Sequence, residues 1–408
     1  DSICTCSVDQ VHKDILYRFD QSRIICEQLI REATKQIANN IGHPSTDNPN
    51  TYAFAVFNTL AQKRSEVVTA DVFVAGDLPI NGIRLIDTEG TEIPCAMLSI
   101  DRPWNLSQSQ HDIPRDPCHQ RVKVAFRADN VPGVGYKAYA LHVCDRPNRQ
   151  PAELLTGFNK AENEYLAVQV ESDGTITLTD KLAAKIYSGL LTFEDGGDIG
   201  DGYRFIPPVK DSIHLSNGCK HRISVVENNS VRITFKISTD FEIPTTINAD
   251  KQSRSNSMSV CTIETYITLA AGIPRLDIKS IITNTAQYHR LRVLFPTGLK
   301  TLVSYAESAF DVVERSVSIP ICSDWNEPMP RTQPQKSFVS LSDGISGFTL
   351  INKGIQEYEA VDDNSGTLAL TLIRANYGWH GEECPARDSQ MIGTYSFEYS
   401  IYTHSGDW

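Results

Sequence analysis

The chain has 408 residues, 22% of them charged and 40% hydrophobic, and a formal net charge of -12. This length and balance describe a globular protein with room for two or three domains. The acidic excess, with no basic stripe against it, argues against a nucleic-acid partner. No run of about 18 apolar residues occurs, so no membrane-spanning helix is expected, and no secretory signal is recognisable.

The first element is the plainest. Val11, Ile15, Phe19, Ser22, Cys26, Leu29, Ala33, Ile37 and Ile41 recur at steps of three or four, one apolar or small-residue stripe of a long amphipathic helix. Ser7 with Gln10 predicts a capping box at its start, and Gly42-His43-Pro44 predicts its end. Such a helix cannot bury its stripe alone, and the rest of the sequence offers no second helix of comparable strength. The stripe is therefore expected to be exposed, prone to self-association into a homo-oligomer unless another segment covers it.

From Thr51 the pattern turns to strands. Tyr52–Phe57 and Val67–Val74 are rich in β-formers, and short apolar runs continue to Ala138–Val143. The segment DRPNRQP at 145–151 reads as a linker. Domains are accordingly expected at 1–50 (a helical segment), 51–150 (a small β-sandwich) and 151–408 (a large β-domain). In the last, Leu166, Val168 and Val170 alternate, Asp173-Gly174 turns the chain, and Ile176 and Leu178 alternate back, a hairpin signature. Val231, Ile233, Phe235 and Ile237 alternate with Arg232, Thr234 and Lys236. Leu276 with Ile278, and Leu368 with Leu370 and Leu372, repeat the period, so one large double-sheet sandwich is expected.

The ten cysteines are dispersed, with only Cys4 and Cys6 close together, too few ligands for a tetrahedral zinc site. They read as buried reduced thiols of a cytoplasmic protein, and the sequons at Asn105 and Asn228 do not change that reading.

Several stretches, in order along the chain, resemble glycoside hydrolase family 38 α-mannosidases. They are DSICTCSVDQVH at the start, with Thr5 where the family has glycine, and VFNTLAQKRSEVV at Val56–Val68, with Thr59 where proline is usual. NEYLAVQVESDGTITLTDK, FEDGGDIGDGYRFIPP, HRLRVLFPTGL, GIQEYE, LTLIR and FEYSIYTHSGDW follow. The resemblance implies a mainly β C-terminal region: a remnant of a helical bundle, a small β-sandwich and a galactose-mutarotase-like super-β-sandwich. It further implies that the zinc-dependent, retaining hydrolysis of α-mannosidic bonds belongs to an N-terminal catalytic barrel missing here. The zinc ligands and catalytic aspartates would lie outside the fragment, with the last zinc ligand just before Asp1. A retaining glycosidase needs two carboxyl groups about 5 Å apart, and the fragment alone is expected to be inactive.

The resemblance also nominates substrate contacts. Asp1 would bond mannose hydroxyls, and Tyr203, in GDGYRF, would project into the same sugar site. Asn352 and Glu357, in LINKGIQEYE, would line the cleft, and Trp379, beside His380, would stack on a more distant sugar. Glu194, Asp195, Asp198 and Asp201 offer acids for calcium, against the simpler reading of solvated loop acids or hydrogen bonds that shape a loop. The rival class is a non-enzymatic carbohydrate-binding module, for which four tryptophans supply little aromatic platform. A mutarotase proper would need a histidine–carboxylate pair in the cleft, a role that His214, His221, His289, His380 and His404 leave open.

Overall fold

The computed structural model describes residues 8–41, 50–76, 78–102, 107–109, 112–115, 119–148, 150–320, 324–326, 329–376 and 386–408, with only the backbone described at 107–109 and 112–115. The protein is mostly β, with one N-terminal helix and several antiparallel sheets. It divides into two compact units. One holds Asp1–Asp20, Leu155–Glu227 and Ile233–Trp408, and the other holds Gln21–Leu154 with Asn228–Arg232.

The helix runs from Asp9 to Ala38 and has no buried residue. Its stripe is open as expected, with Phe19 67% and Leu29 59% exposed. Polar pairs one turn apart support the surface, among them Arg23 to Glu27 at 3.1 Å and Gln28 to Glu32 at 2.9 Å. Ser7 and Gly42 lie outside the described residues. Gln10 bonds forward to Asp14 at 3.1 Å.

The smaller unit contains two antiparallel sheets on one core. Thr51–Asn58, Gly135–Cys144, Gly82–Asp87 and Glu92–Ile93 form one sheet in that order; Arg64–Ala75, His119–Val131 and Cys95–Asp101 form the other. Alternate residues of both sheets point inward, so Val72, Val74, Leu85, Val122, Phe126, Tyr139 and Leu141 make a single apolar cluster. Phe126 meets Tyr139 edge to face at 4.9 Å between centroids, a favoured aromatic geometry.

The larger unit holds the two large sheets expected and adds a third, smaller one. Its first five strands, from Leu155–Gly157 to Lys185–Leu190, pair in chain order as a separate meander. Tight turns make neighbours in sequence neighbours in space there. At Asp173-Gly174 the expected hairpin forms, with Gly174 at φ +79° and Val168 opposite Leu178. A six-stranded and a nine-stranded sheet follow, and the strand Gly393–Ser405 is hydrogen-bonded inside the larger one. The three sheets meet at buried aromatic rings. Phe348 lies 5.1 Å from Tyr187 and 6.4 Å from Phe295, and Phe295 lies 6.0 Å from Tyr399. This contact leaves one face of the six-stranded sheet for other purposes.

Candidate functional site

The six-stranded sheet orders its strands as His214–Leu215, Thr192–Gly197, His289–Pro296, Thr367–Arg374, Glu357–Ala360 and Gln333–Pro334. Side chains alternate between faces along each strand. Phe193, Leu291, Val293, Phe295, Leu370 and Tyr358 occupy the core face and are buried. The opposite face carries Glu194, Arg290, Arg292, Thr371, Glu357 and Glu359. Register sets these in rows, Glu194 opposite Arg292 and Arg292 opposite Thr371.

Arg292 is the hinge of that face. Its Nε and Nη2 donate to one oxygen of Glu194 at 3.0 and 2.6 Å, and its Nη1 donates to Glu359. Burial works against its charge, and the two carboxylates more than restore it, leaving the guanidinium above its ordinary value. Glu357 accepts a hydrogen bond from the Thr371 hydroxyl at 2.6 Å. Arg290 is only 9% exposed. Its guanidinium lies 3.5 Å from the centroid of the Phe205 ring. Burial, then neighbouring Arg292, pushes it down to about 10 against the pull of Glu359, Glu357 and Glu194. Beside Glu359, a small cavity of about 70 Å³ is lined by Val317, Ile319, Arg331, Ala360 and Asp362.

A loop is pinned at the edge of this face. Asp198 accepts backbone hydrogen bonds from Gly200 at 2.8 Å and Ile206 at 3.2 Å, and Arg374 Nε donates to it at 3.0 Å. Burial pushes the Asp198 carboxyl up, opposed by Arg374 and those backbone groups. Arg374 also reaches the Asp201 carbonyl at 2.5 Å, and Asp201 Oδ1 accepts from the backbone of Tyr203 and Arg204. The loop is thus tied at both arms, with Tyr203 at its tip, 52% exposed.

The four acids proposed for calcium do not converge on an ion. Glu194 and Asp195 stand on a strand facing opposite ways, and Asp198 and Asp201 shape the loop. Among the described residues no group of three or more His, Cys, Asp or Glu is placed to hold a metal. A zinc ion therefore finds no fitting donor set on the described part of the chain. Asp195 belongs to an enclosed network: Arg254 donates to it, and His289 Nδ1 lies 2.5 Å from its other oxygen. His289 Nε2 meets Asn284 Oδ1 at 3.0 Å. A histidine–carboxylate pair is thus present, but Asp195 and His289 are both fully buried, beyond the reach of a sugar.

Of the nominated residues, Tyr203 and Glu357 belong to the six-stranded sheet and its pinned loop. Asn352 sits on the nine-stranded sheet instead, 7% exposed, with its Oδ1 accepting from Ile355 at 2.9 Å to form the turn. Asp1, Trp379 and His380 lie outside the described residues. Sequence reasoning passed over Arg290, Arg292 and Arg374. The signal was in HRLRVLF, where two arginines alternate with Leu291 and Val293 and so mark a charged face opposite a core face.

Antiparallel sheets, one of them with a charged face opposite its core face, define the class of this region as a β-rich domain. The chain belongs to the glycosyl hydrolases of family 38: the model of that family's C-terminal domain matches residues 161–377. A protein of Halalkalibacterium halodurans named "Putative mannosylglycerate hydrolase" is 28% identical over all of this chain and 48% of its own length. An alpha-mannosidase from Enterococcus faecalis superposes with a TM-score of 0.86 at 26% identity, covering 98% of this chain and 48% of that one. A family 38 protein from the same organism superposes at 0.85, with 26% identity and coverage of 98% and 50%. The chain spans about half the length of these relatives.

Proposed function

We propose that this chain is the C-terminal half of a retaining, zinc-dependent α-mannosidase, in which it supports the catalytic barrel and lines the sugar site. The observation that carries the reading is the likeness to an alpha-mannosidase over 98% of this chain and only 48% of that one. The two carboxylates best placed on the charged face, Glu194 and Glu359, are both bound by Arg292. Neither is free to act as nucleophile or acid, which supports placing the chemistry outside these residues. The zinc would likewise be held elsewhere. The exposed stripe of the helix would be covered by the missing half. No helix of the described residues is long and apolar enough to cross a membrane. The free cysteines Cys26, Cys95, Cys144, Cys219 and Cys261 support a cytoplasmic setting.

The relatives' names put mannose on the substrate but differ in what it is joined to. The test is hydrolysis of an aryl α-mannoside, an α-mannobiose and a mannosylglycerate by this chain and by a polypeptide extended to the relatives' length, with zinc or with chelator. Activity only in the extended protein, lost with chelator and with retained anomeric configuration, is the expected result. Hydrolysis by the 408-residue chain alone would sink the proposal.

A further inference from the structure

Arg290 keeps donors that no group of the described residues takes up. It is charged and nine-tenths buried, and among the described residues it makes no hydrogen bond or ion pair. None of its nitrogens is among the enclosed, unpartnered atoms of the described residues, so its N–H donors reach solvent and stand open to a ligand. Phe205 covers the flat face of the group, but stacking uses the π surface and leaves the in-plane N–H donors unspent. Across the strand pair stands Gly196, which has no side chain to accept them, and on the other side stands Arg374, already committed to Asp198 and Asp201.

The charges around Arg290 select the ligand. Glu194, Glu357 and Glu359 share its face with Arg292, so the group carries one more carboxylate than guanidinium. An anion entering there would add to that excess. A neutral polyol would not: its hydroxyl oxygens accept from Arg290 while its hydroxyl hydrogens donate to carboxylate oxygens. Glu357 spends only one oxygen on Thr371.

We propose that Arg290, with Glu357, forms a subsite for the hydroxyls of a neutral sugar on the charged face of the six-stranded sheet. This deepens the mannoside reading and rests on it only for the choice of sugar. Arg290 acts here as a binding residue and takes no part in bond cleavage.

The test uses the chain titrated with methyl α-D-mannopyranoside, by calorimetry and by thermal melting, with glycerate as the anionic control. Wild type is expected to bind the mannoside and not glycerate. Arg290→Met is expected to weaken binding by at least about tenfold, the loss of a charged hydrogen bond. Without sugar, this variant should melt close to wild type, because it removes no hydrogen bond or ion pair and Met keeps an apolar contact with Phe205. Glu357→Gln should weaken binding less. Three results overturn the proposal: no mannoside binding by wild type, glycerate binding lost in Arg290→Met, or a lowered melting temperature with sugar affinity intact. Inactivity of the extended protein on mannosides, with binding here retained, would instead sink the hydrolase reading and spare the subsite.

Discussion

The carboxylate of Asp9 accepts a hydrogen bond from the backbone N–H of Arg387 at 2.9 Å, and from that of Asp388 at 3.1 Å. Lys13, one turn further along the helix, pairs with the Asp388 side chain at 3.3 Å. The first turn of the helix is thereby fastened to the short helical turn Arg387–Gln390 that precedes the last strand. A carboxylate on two orphan N–H groups acts as a cap, so Asp9→Ala is expected to cost about 1 kcal/mol locally. Amide exchange at Arg387–Gln390 should accelerate several-fold in that variant, with Asp9→Asn intermediate. Unchanged exchange would mean that the contact does not hold the two segments together.

Arg292 between Glu194 and Glu359 gives a second expectation. Arg292→Met leaves Glu359, 8% exposed at its side chain, and the partly buried Glu194 without their shared cation. Removing one partner of such a buried group costs about 3–5 kcal/mol. Adding Glu359→Leu should recover part of the loss, because it removes one stranded charge. Urea unfolding measures both, read from the midpoint at constant slope. A single variant as stable as wild type would show that the charged face does not depend on the clamp.

What sequence reasoning could see was local. Alternation gave the hairpin at Asp173-Gly174 and the buried row Val231, Ile233, Phe235 and Ile237, because period two depends only on which face is wet. The helix was legible for the same reason, and so was its uncovered stripe. Partners distant in sequence were not. Nothing in the order of residues says that Arg292 meets both Glu194 and Glu359, or that Arg374 closes the loop of Asp198. These pairs depend on a strand order that crosses the chain. The acidic run from Glu194 to Asp201 looked like loop acids because its cations lie far along the chain. Asn352 fell in a motif that looked substrate-facing; its Oδ1 serves a turn, and its Nδ2 is buried without a partner among the described residues.

Gly174 and His221 give a third expectation. Gly174 has φ +79°, a conformation that side chains resist. A Cβ there would also stand 2.3 Å from Nδ1 of His221 and 2.4 Å from its Cε1. Gly174→Ala should therefore cost on the order of 2 kcal/mol, combining backbone strain with a clash against a ring held on both sides. His221→Ala in the same chain should relieve the clash but not the strain. The double-mutant cycle should then show a coupling of at least about 0.5 kcal/mol. Additive losses would place the whole cost in the backbone.

His221 also governs the last expectation, a dependence of stability on pH. Its Nε2 donates to the Ser216 carbonyl at 3.0 Å, and its Nδ1 lies 2.8 Å from the Thr239 hydroxyl. Burial holds its pKa below the ordinary 6.5, against the opposing pull of the Ser216 carbonyl and of Asp173. His142 and His214 are also lowered, again chiefly by burial. A lowered folded-state value means that the unfolded chain takes up the proton first as pH falls. Stability from these groups is complete above about pH 6.5, declines as pH drops through the interval down to the folded values, and is level below them. The carboxyls held low, Glu92 by Arg84 and Asp240 by Arg222, act in the same direction but only in more acidic solution. The urea midpoint should therefore fall between pH 7.5 and 5.5, and His221→Asn should make that fall shallower. A slope in that range unchanged by the substitution would remove His221 from the account and leave the other two histidines to explain it.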